Sequence, residues 1–522
     1  MACAAVNSPN GGEKDTVAPV VVSTEPANAS TNFDTKQIII QFNEFIAQEN
    51  FEQKLIVSPP VSDDFKVIYK GKKLKLILPD SLDPNTTYSF QFGNSIKDFT
   101  EGNELANYQY VFSTGDLLDS LSLSGYVLNA QTGQSVEKSW VLLFEKTENS
   151  DSLLLAGNAK YISQTNSKGA FRFDYLAEGE YHLFALVDQN GDLKLQPELE
   201  MAGFYSGLVT PDTSASYLIH SFVEEEPFKF NGASYSEYGR VQAKFKGNNE
   251  PFEMVLESPE IYYQTWNSTV DSSSIWFNPE AVDSMVVFVH SINSVDTVSL
   301  KKLPFSKRSF KLNALKASYS SNEKIILSSR YPFELKDSTG MLLTNSSRDT
   351  VPFRLKVADG EGFEIGFEKK EAEVYNLQIN PICFQSFLSE PNDSIQYSFR
   401  INPKEEYSSV VLTLPEDYLG EERLLELVSS KGQLVKEYSI AAGDSSFVMN
   451  YINPSEYTIR LIVDANKNGK WDAGSIQSGL QPELVLRHQG VLKLKANWMV
   501  DITFQRTNSK LSESRKKGSF SR

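Results

Sequence analysis

The feature that most constrains the fold of this chain is a period-two alternation of apolar and polar residues in nearly every patterned segment. Clear examples are "KQIIIQF" (36–42), "KKLKLIL" (72–78) and "VLKLKANW" (491–498). Successive side chains of a strand point to opposite faces of a sheet, so this alternation is typical of half-buried β-strands. The sequence therefore predicts an all-β protein built from tandem antiparallel β-sandwich domains.

One segment, "EERLLELVSSKG" (421–432), could be read as a helix from its composition. Its continuation "QLVKEYSI" returns to strand-like alternation after Ser-Lys-Gly, which is a turn sequence. We therefore predict a β-hairpin at this position.

Internal repeats show how the domains are organised. "FRFDYLAEGEYHLFALVDQNGD" (171–192) returns as "FVMNYINPSEYTIRLIVDANKNG" (447–469), and "QPEL" follows each copy, at 196–199 and 481–484. Weaker similarities link 37–45 with 324–333 and 88–103 with 375–392. The chain is thus predicted to use a two-domain unit twice, with a separate β region between the copies.

Size and charge exclude some classes of partner. A chain of 522 residues is too long for one hydrophobic core, so several domains are expected. Its formal net charge of −17 argues against a nucleic-acid partner, because an acidic surface repels phosphate. The last residues, 508–522, are basic and almost free of apolar side chains, which predicts a disordered tail.

The two cysteines, Cys3 and Cys383, exclude a disulfide framework and a thiolate metal cluster. Cys383 lies among apolar neighbours in "INPICFQSF" and is expected in a core. Cys3 follows a small residue and precedes a polar segment, as at the end of a bacterial lipoprotein signal. We expect a lipid on Cys3, the alternative being an ordinary N-terminal cysteine.

The residues from Asp15 to Asp116 resemble the bacterial Ig-like domain first recognised in surface-layer proteins. The resemblance rests on the opening Pro19, the "PNTTY" turn, a "D…GN" corner and the closing "FST". From Leu123 onward, a "G-x-F" strand followed by a "G-x-Y" strand resembles the transthyretin-like carboxypeptidase regulatory domain. The second copy, at 407–505, keeps the Tyr457 strand but has Pro454-Ser455 at the turn where that family prefers glycine.

A cysteine suited to lipidation ahead of an Ig-like domain resembles a lipoprotein family of the Bacteroidota. That resemblance implies an outer-membrane protein anchored by lipid, on either face of the membrane. The expected regions are a tether (1–15), an Ig-like domain (16–116), a transthyretin-like domain (120–220), an unassigned β-sandwich (221–310), a degenerate Ig-like domain (311–403), a second transthyretin-like domain (404–507) and the tail (508–522).

The sequence offers no recognisable catalytic site, so we do not expect an enzyme. The four histidines, His182, His220, His290 and His488, are isolated along the chain and none pairs at metal-ligand spacing. There is no Gly-x-Ser-x-Gly turn and no phosphate-binding glycine loop. The transthyretin-like regulatory domain also has no catalytic residues in the family it resembles.

Aromatic residues are densest in "IYYQTWNSTVDSSSIWF" of the region 221–310. Tyr262, Tyr263, Trp266 and Trp276 are the candidates for contact with a protein or carbohydrate partner. The alternative is that these rings pack in a core.

The loop "VDANKNGKWDAG" (463–474) has the spacing of a calcium loop. Oxygen ligands would come from Asp464, Asn466, Asn468, the Lys470 carbonyl and Asp472, and Glu483 would replace the carboxylate missing at Ser475. The flanking segments are strands, so the ion, Ca²⁺, would be structural. The alternative is a turn closed by its own hydrogen bonds.

Together these features predict a non-catalytic, lipid-anchored outer-membrane protein that acts as a scaffold or accessory subunit of a cell-envelope complex for outer-membrane protein assembly, secretion or transport. The alternative is a glycan-binding surface lipoprotein of a polysaccharide-utilisation system.

Overall fold

The computed structural model describes residues 15–506 with short gaps. Outside the described set lie 1–14, 49–53, 62–64, 107, 148–151, 198, 213–214, 248–252, 257–260, 268–271, 281–283, 292–294, 302, 359–361 and 507–522, and the side chains of 48, 256 and 261–267. The described residues divide into two compact units. The first contains 15–224 and 471–485, and the second contains 225–470 and 486–506.

The first unit opens with the Ig-like region. Its strands are β1 (Val21–Glu25), β2 (Gln37–Phe42), β3 (Ile46–Gln48), β4 (Ile56–Ser58), β5 (Lys66–Lys70), β6 (Lys73–Ile77), β7 (Thr87–Gln91), β8 (Ile96–Asp98) and β9 (Gln109–Ser113). They form sheets of order β1-β2-β6-β5, β4-β7-β9 and β3-β8. Along β2, Ile38, Ile40 and Phe42 are buried whereas Gln37 is exposed, so the predicted alternation is confirmed.

The first repeat region follows. Its elements are β10 (Leu121–Asn129), β11 (Trp140–Glu145), α1 (Leu153–Ala156), β12 (Tyr161–Gln164), β13 (Ala170–Leu176), β14 (Tyr181–Leu186), β15 (Ala202–Val209) and β16 (Ser216–Phe222). They form one sheet of order β12-β11-β14-β15-β16-β10-β13. Pairing is antiparallel except between β10 and β16, which run parallel.

The sheet of this region is apolar on both faces. In β11 the sequence "WVLLFE" is a continuous apolar run, which is typical of a strand buried on both sides. Val141 and Leu143 belong to one core cluster, whereas Leu142 and Phe144 belong to another on the opposite face. The second cluster therefore needs a cover from outside the sheet.

Part of that cover comes from a distant part of the chain, residues 471–485, which we name the strap. Its side chains Trp471, Ala473 and Ile476 pack on the second cluster. The Ile476 N–H donates to Glu224 Oε1 at 2.7 Å, and Gln481 Nε2 donates to the Phe204 carbonyl at 2.9 Å. The sequence-based region 404–507 is therefore interrupted, because the strap belongs to the first unit.

The second unit begins with two further β regions. The first has strands β17 (Lys229–Glu237), β18 (Arg240–Lys246), β19 (Glu253–Leu256), β20 (Ile261–Asn267), β21 (Ser272–Phe277), β22 (Ser284–His290) and β23 (Val295–Lys301). The next has β24 (Ser318–Tyr319), β25 (Ile326–Leu327), β26 (Phe333–Leu335), β27 (Met341–Thr344), β28 (Phe353–Ala358), β29 (Gly362–Phe367), β30 (Val374–Ile379), β31 (Phe384–Ser386) and β32 (Ile395–Ile401). Their sheets have the orders β17-β18-β21-β20, β19-β22-β23, β24-β32-β30-β27, β25-β29-β28 and β26-β31.

The second repeat region completes this unit. It has β33 (Ser408–Thr413), β34 (Glu422–Ser429), β35 (Leu434–Ile440), β36 (Ser446–Ile452), β37 (Glu456–Asp464), β38 (Val485–Arg487), β39 (Leu492–Lys493) and β40 (Met499–Thr503), with short 3-10 helices at Lys404–Glu406 and Glu416–Tyr418. β33 pairs with β36 antiparallel and with β40 parallel, as β10 pairs with β13 and β16. The predicted hairpin at 421–440 is confirmed by the pairing of β34 with β35.

Candidate functional site

The Asp464 loop closes on itself by hydrogen bonds. Asp464 ends β37, and its carboxyl group is buried. Its Oδ1 accepts the N–H of Asn468 at 3.1 Å, and its Oδ2 accepts the N–H of Gly469 at 2.9 Å. Gly469 has φ of 77°, in the left-handed region where a side chain would be strained.

The two asparagines of the loop act in the same way. Asn466 Oδ1 accepts the N–H of Asn468 at 3.1 Å, and Asn468 Oδ1 accepts the N–H of Lys470 at 3.0 Å. These are local side-chain-to-backbone bonds of the Asx type. The structure therefore brings Asp464, Asn466 and Asn468 together as the framework of one turn.

Of the three remaining predicted ligands, Asp472 and Glu483 lie in the strap and Lys470 directly precedes it. Glu483 Oε2 accepts the N–H of Asp472 at 3.2 Å, and Trp471 Nε1 donates to the Glu483 carbonyl at 3.1 Å. Asp472 and Glu483 thus belong to the first unit, whereas Asp464, Asn466, Asn468 and Lys470 belong to the second. Within the described residues, no three acidic, histidine or cysteine side chains are grouped as a metal site would require.

The sister loop in the first repeat region uses its aspartate identically. Asp188 Oδ1 accepts the N–H groups of Asn190 and Gly191, at 3.1 and 2.7 Å, and Oδ2 accepts that of Leu193 at 2.9 Å. Buried Glu200 completes the loop by accepting from two more backbone N–H groups. Both loops match the hydrogen-bonded alternative, and the calcium site stays a prediction.

A third aspartate does the same in the Ig-like region. Asp98 Oδ1 accepts the N–H groups of Thr100, Glu101 and Gly102, and Oδ2 accepts that of Asn103 at 2.9 Å. Burial alone would raise the pKa of Asp98, but the backbone donors outweigh it and lower the pKa below its usual value. This is the "D…GN" corner of the sequence, and its carboxylate stabilises a turn.

Among the aromatic candidates, Trp276 lies in an interior position. It is 4% exposed, and its ring packs edge to face against Tyr331 at 5.6 Å and against Phe387 at 5.4 Å. Arg240 lies over the indole with its guanidinium 5.3 Å from the ring centroid. Trp276 is therefore a packing residue and offers no contact surface to a partner.

The remaining aromatic candidates are described only by their backbone. Tyr262, Tyr263 and Trp266 lie on β20, where Tyr263 is paired with Trp276 of β21. Their side chains fall outside the described residues, as does all of Cys3. Cys383 is buried, and burial raises the pKa of its thiol, as expected for a core cysteine.

Two exposed rings of the Ig-like region were not identified from the sequence. Phe45 is 61% exposed and Phe99 is 73% exposed. The backbones of the two residues are neighbours, because the Phe99 N–H donates to the Phe45 carbonyl at 2.9 Å. In the sequence, Phe99 directly follows Asp98 inside the "D…GN" corner, and Phe45 follows the alternating segment 36–42.

Comparison with known proteins supports the domain type. Residues 15–114 match the bacterial Ig-like domain. This is the part of the chain whose Pro19, turn and corner carry the resemblance described above, and that part of the sequence interpretation is confirmed. A search of curated proteins finds no match for the chain.

A search of solved structures matches the chain to surface-layer and Ig-domain proteins. The surface-layer protein SbsC, domains 1-6, matches at 12% identity over 92% of this chain and 67% of its own, with a TM-score of 0.14. The Bacillus anthracis TIE protein matches at 9% identity over 96% and 76%, with a TM-score of 0.14. The eight N-terminal Ig domains of the Down Syndrome Cell Adhesion Molecule match at 10% identity over 93% and 61%, with a TM-score of 0.16. At these TM-scores the neighbours give no indication of what this chain binds.

Proposed function

We propose that this chain is a non-catalytic protein of the bacterial cell envelope, anchored at the outer membrane by a lipid on Cys3. In this proposal it serves as a scaffold or accessory subunit of a complex for outer-membrane protein assembly, secretion or transport. The bacterial Ig-like domain and the tandem β-sandwich architecture fit a structural role of this kind. Among the described residues, no helix has the length and apolarity needed to cross a bilayer.

The observation that carries the proposal is the exposed pair Phe45 and Phe99. Exposed aromatic residues on neighbouring backbone segments are typical of surfaces that bind other proteins, because aromatic residues are enriched at interfaces and costly to leave in water. Lys72 lies beside Phe45, with its Nζ 5.7 Å from the centroid of that ring. An apolar centre with a polar rim is the usual composition of a protein contact surface.

The position of this pair suits a partner in the membrane. The Asn103 side chain donates to the Asp15 carbonyl at 3.1 Å, so the corner that carries Phe99 lies beside the first described residue. Only the segment 3–14 separates that residue from Cys3, and it spans at most about 40 Å when fully extended. A lipid on Cys3 would therefore hold Phe45 and Phe99 close to the membrane surface.

The test is affinity purification of the full chain from native outer membranes. We expect a defined set of envelope proteins to co-purify with the wild type and to be lost from the double variant Phe45→Ser, Phe99→Ser. Leu117→Ser is the matched control, because Leu117 is 77% exposed in the same domain but separate from the pair. Retention of the same set by the double variant, or its loss from the control as well, would contradict the proposal.

A further inference from the structure

A cleft in the second unit combines arginines with aromatic rings. Its volume is about 410 Å³, and its lining includes Glu237, Tyr238, Phe305, Arg308, Arg330 and Tyr331. The end of β17 supplies Glu237, the turn after it supplies Tyr238, and the segments that precede β24 and β26 supply the others. This volume falls within the range of about 300 to 1,000 Å³ typical of small-molecule sites.

The aromatic side of the cleft is held rigidly from behind. Tyr331 is 3% exposed and fixed against Trp276 and Phe387. Phe305 is 39% exposed, and its ring centroid lies 5.4 Å from that of Tyr235, which is buried. Tyr331 therefore supports the cleft from behind. Phe305, together with the half-buried Tyr238 of the lining, forms an aromatic wall that can contact the apolar face of a bound ring.

The floor of the cleft is a buried carboxylate with both oxygens engaged. Glu237 Oε1 accepts from Arg240 Nη1 at 2.9 Å, and Oε2 accepts from Arg330 Nε. Arg240 also makes contacts outside the cleft. Its Nε donates to the Ser274 hydroxyl, and its guanidinium lies over the Trp276 ring. Arg330 binds Glu237 through its Nε, and the Arg330 side chain is 49% exposed.

Positive charge exceeds negative charge around this cleft. Arg308 is exposed at its rim, where its backbone N–H donates to the Tyr331 hydroxyl at 3.3 Å. Arg308 and Arg330 belong to the lining, and Arg240 lies beside it, bonded to Glu237. The neighbouring carboxylates are Glu237 and Glu280, and Glu280 accepts from the Tyr238 hydroxyl at 3.3 Å. The chain has a net charge of −17, so its overall composition does not account for a cleft with excess positive charge.

The chemistry of the lining indicates the class of ligand. A guanidinium group binds a carboxylate through two parallel hydrogen bonds, and Arg308 and Arg330 present such groups at the cleft. A simple inorganic anion would bind these cations but make no contact with the rings of Phe305 and Tyr238. The geometry points to a carboxylate-bearing sugar, with its carboxylate on the arginines and its ring against the aromatic wall. This inference does not depend on the scaffold role proposed above.

The probe is a galacturonic acid disaccharide, titrated into the full-length protein by isothermal calorimetry and by saturation-transfer NMR. We expect saturable binding of this probe and none of the neutral galactose disaccharide or of inorganic phosphate at the same concentration. Arg308→Ala should weaken binding by about tenfold to a hundredfold, the loss typical of one charge-assisted hydrogen-bonded contact. Phe305→Ala should weaken it through the ring wall without changing the charge.

Arg354→Ala is the matched control, because Arg354 is an exposed arginine of the same unit on β28, away from the cleft lining. It should leave the affinity unchanged. The inference is overturned if the wild type does not bind the acidic disaccharide, or if neutral sugar or phosphate binds as tightly. It is also overturned if Arg354→Ala weakens binding as much as Arg308→Ala does. Circular dichroism of each variant separates loss of the site from loss of the fold.

Discussion

Asp98, Asp188 and Asp464 each lie at or just past the end of a strand, and each directs its carboxylate at the backbone that follows. A short acidic side chain in this position satisfies N–H groups that have left the sheet ladder and found no other partner. The negative charge strengthens these bonds relative to neutral acceptors. At the scale of single residues, the acidic motifs of this chain therefore act first as turn anchors.

The sequence shows which side chains these loops contain, but it does not show whether those side chains bind a cation or the loop backbone. Oxygen-bearing side chains at alternate positions suit both a cation and a ring of Asx turns, because each role needs short acceptors beside glycine. The choice between them depends on where Asp472 and Glu483 lie, which local spacing does not encode. The structure places these two residues with the strap in the first unit.

The Asp98 corner should make stability depend on pH. Its folded-state pKa is lowered, so its stabilising contribution is present above the unfolded-state pKa of about 4 and is lost as pH falls through the folded-state value. We expect Asp98→Asn to be less stable than wild type at neutral pH, with the difference narrowing as the pH drops below about 4. Urea unfolding of both proteins across this pH range measures the gap. A gap of constant size would show that the charge of Asp98 is not the stabilising feature.

The calcium prediction concerns Asp464. Binding to the native state alone at a hundredfold excess over Kd would stabilise the fold by about 2.7 kcal/mol. We expect calcium to raise the melting temperature of the full chain relative to EDTA, and Asp464→Ala to abolish that difference. Asp501→Ala, an exposed aspartate of the same repeat region, should retain it. If the wild type melts at the same temperature with calcium and with EDTA, the calcium site is excluded and the loop is a hydrogen-bonded turn.

At the scale of elements, the two repeat regions show how much a local pattern determines. Tyr181 and Tyr457 occupy equivalent positions, and each hydroxyl donates to a carbonyl four residues earlier, at 3.0 and 2.8 Å. Tyr175 and Tyr451 both have positive φ, at 60° and 54°. The turn that lost its glycine to Pro454-Ser455 keeps this arrangement, because the tyrosine bond and not the glycine is common to both copies.

Strand identity was predictable because alternation is a local property. "KQIIIQF" has one apolar face and "WVLLFE" has two, and the structure buries them accordingly. What covers the second face of β11 was not predictable, since the strap comes from more than 300 residues away along the chain. Such a contact depends on the assembled surface and leaves no periodic signal in either segment.

The strap should stabilise the first unit. Ile476 is 4% exposed among the apolar side chains of β11 and β14, so Ile476→Ala should cost about 2 to 5 kcal/mol, as for other large-to-small core substitutions. Leu480→Ala is the control in the same segment, because Leu480 is 60% exposed. Hydrogen exchange followed by mass spectrometry should show faster exchange in the peptides of β11 and β14 for Ile476→Ala alone. Equal exchange in both variants would show that the strap adds no stability.

At the scale of the whole molecule, the chain passes between the two units at 224–225, 470–471 and 485–486. The second repeat region is therefore not a detachable C-terminal module, because its central loop completes a core in the first unit.

Attachment to the membrane is the property of the whole chain that most affects its proposed role. A single acyl chain gives only marginal, reversible binding, whereas the several chains of a bacterial lipoprotein anchor bind firmly. We therefore expect the full-length protein, expressed in a bacterial host with a complete lipoprotein signal ahead of Cys3, to sediment with membranes and to resist extraction by salt. Cys3→Ser removes the thiol that carries the lipid and should move the protein to the soluble fraction. Cys383→Ser is the matched control, because that thiol is buried in a core and should not affect fractionation. If wild type and Cys3→Ser fractionate alike, then Cys3 is an ordinary cysteine and Phe45 and Phe99 are not held at the membrane by a lipid.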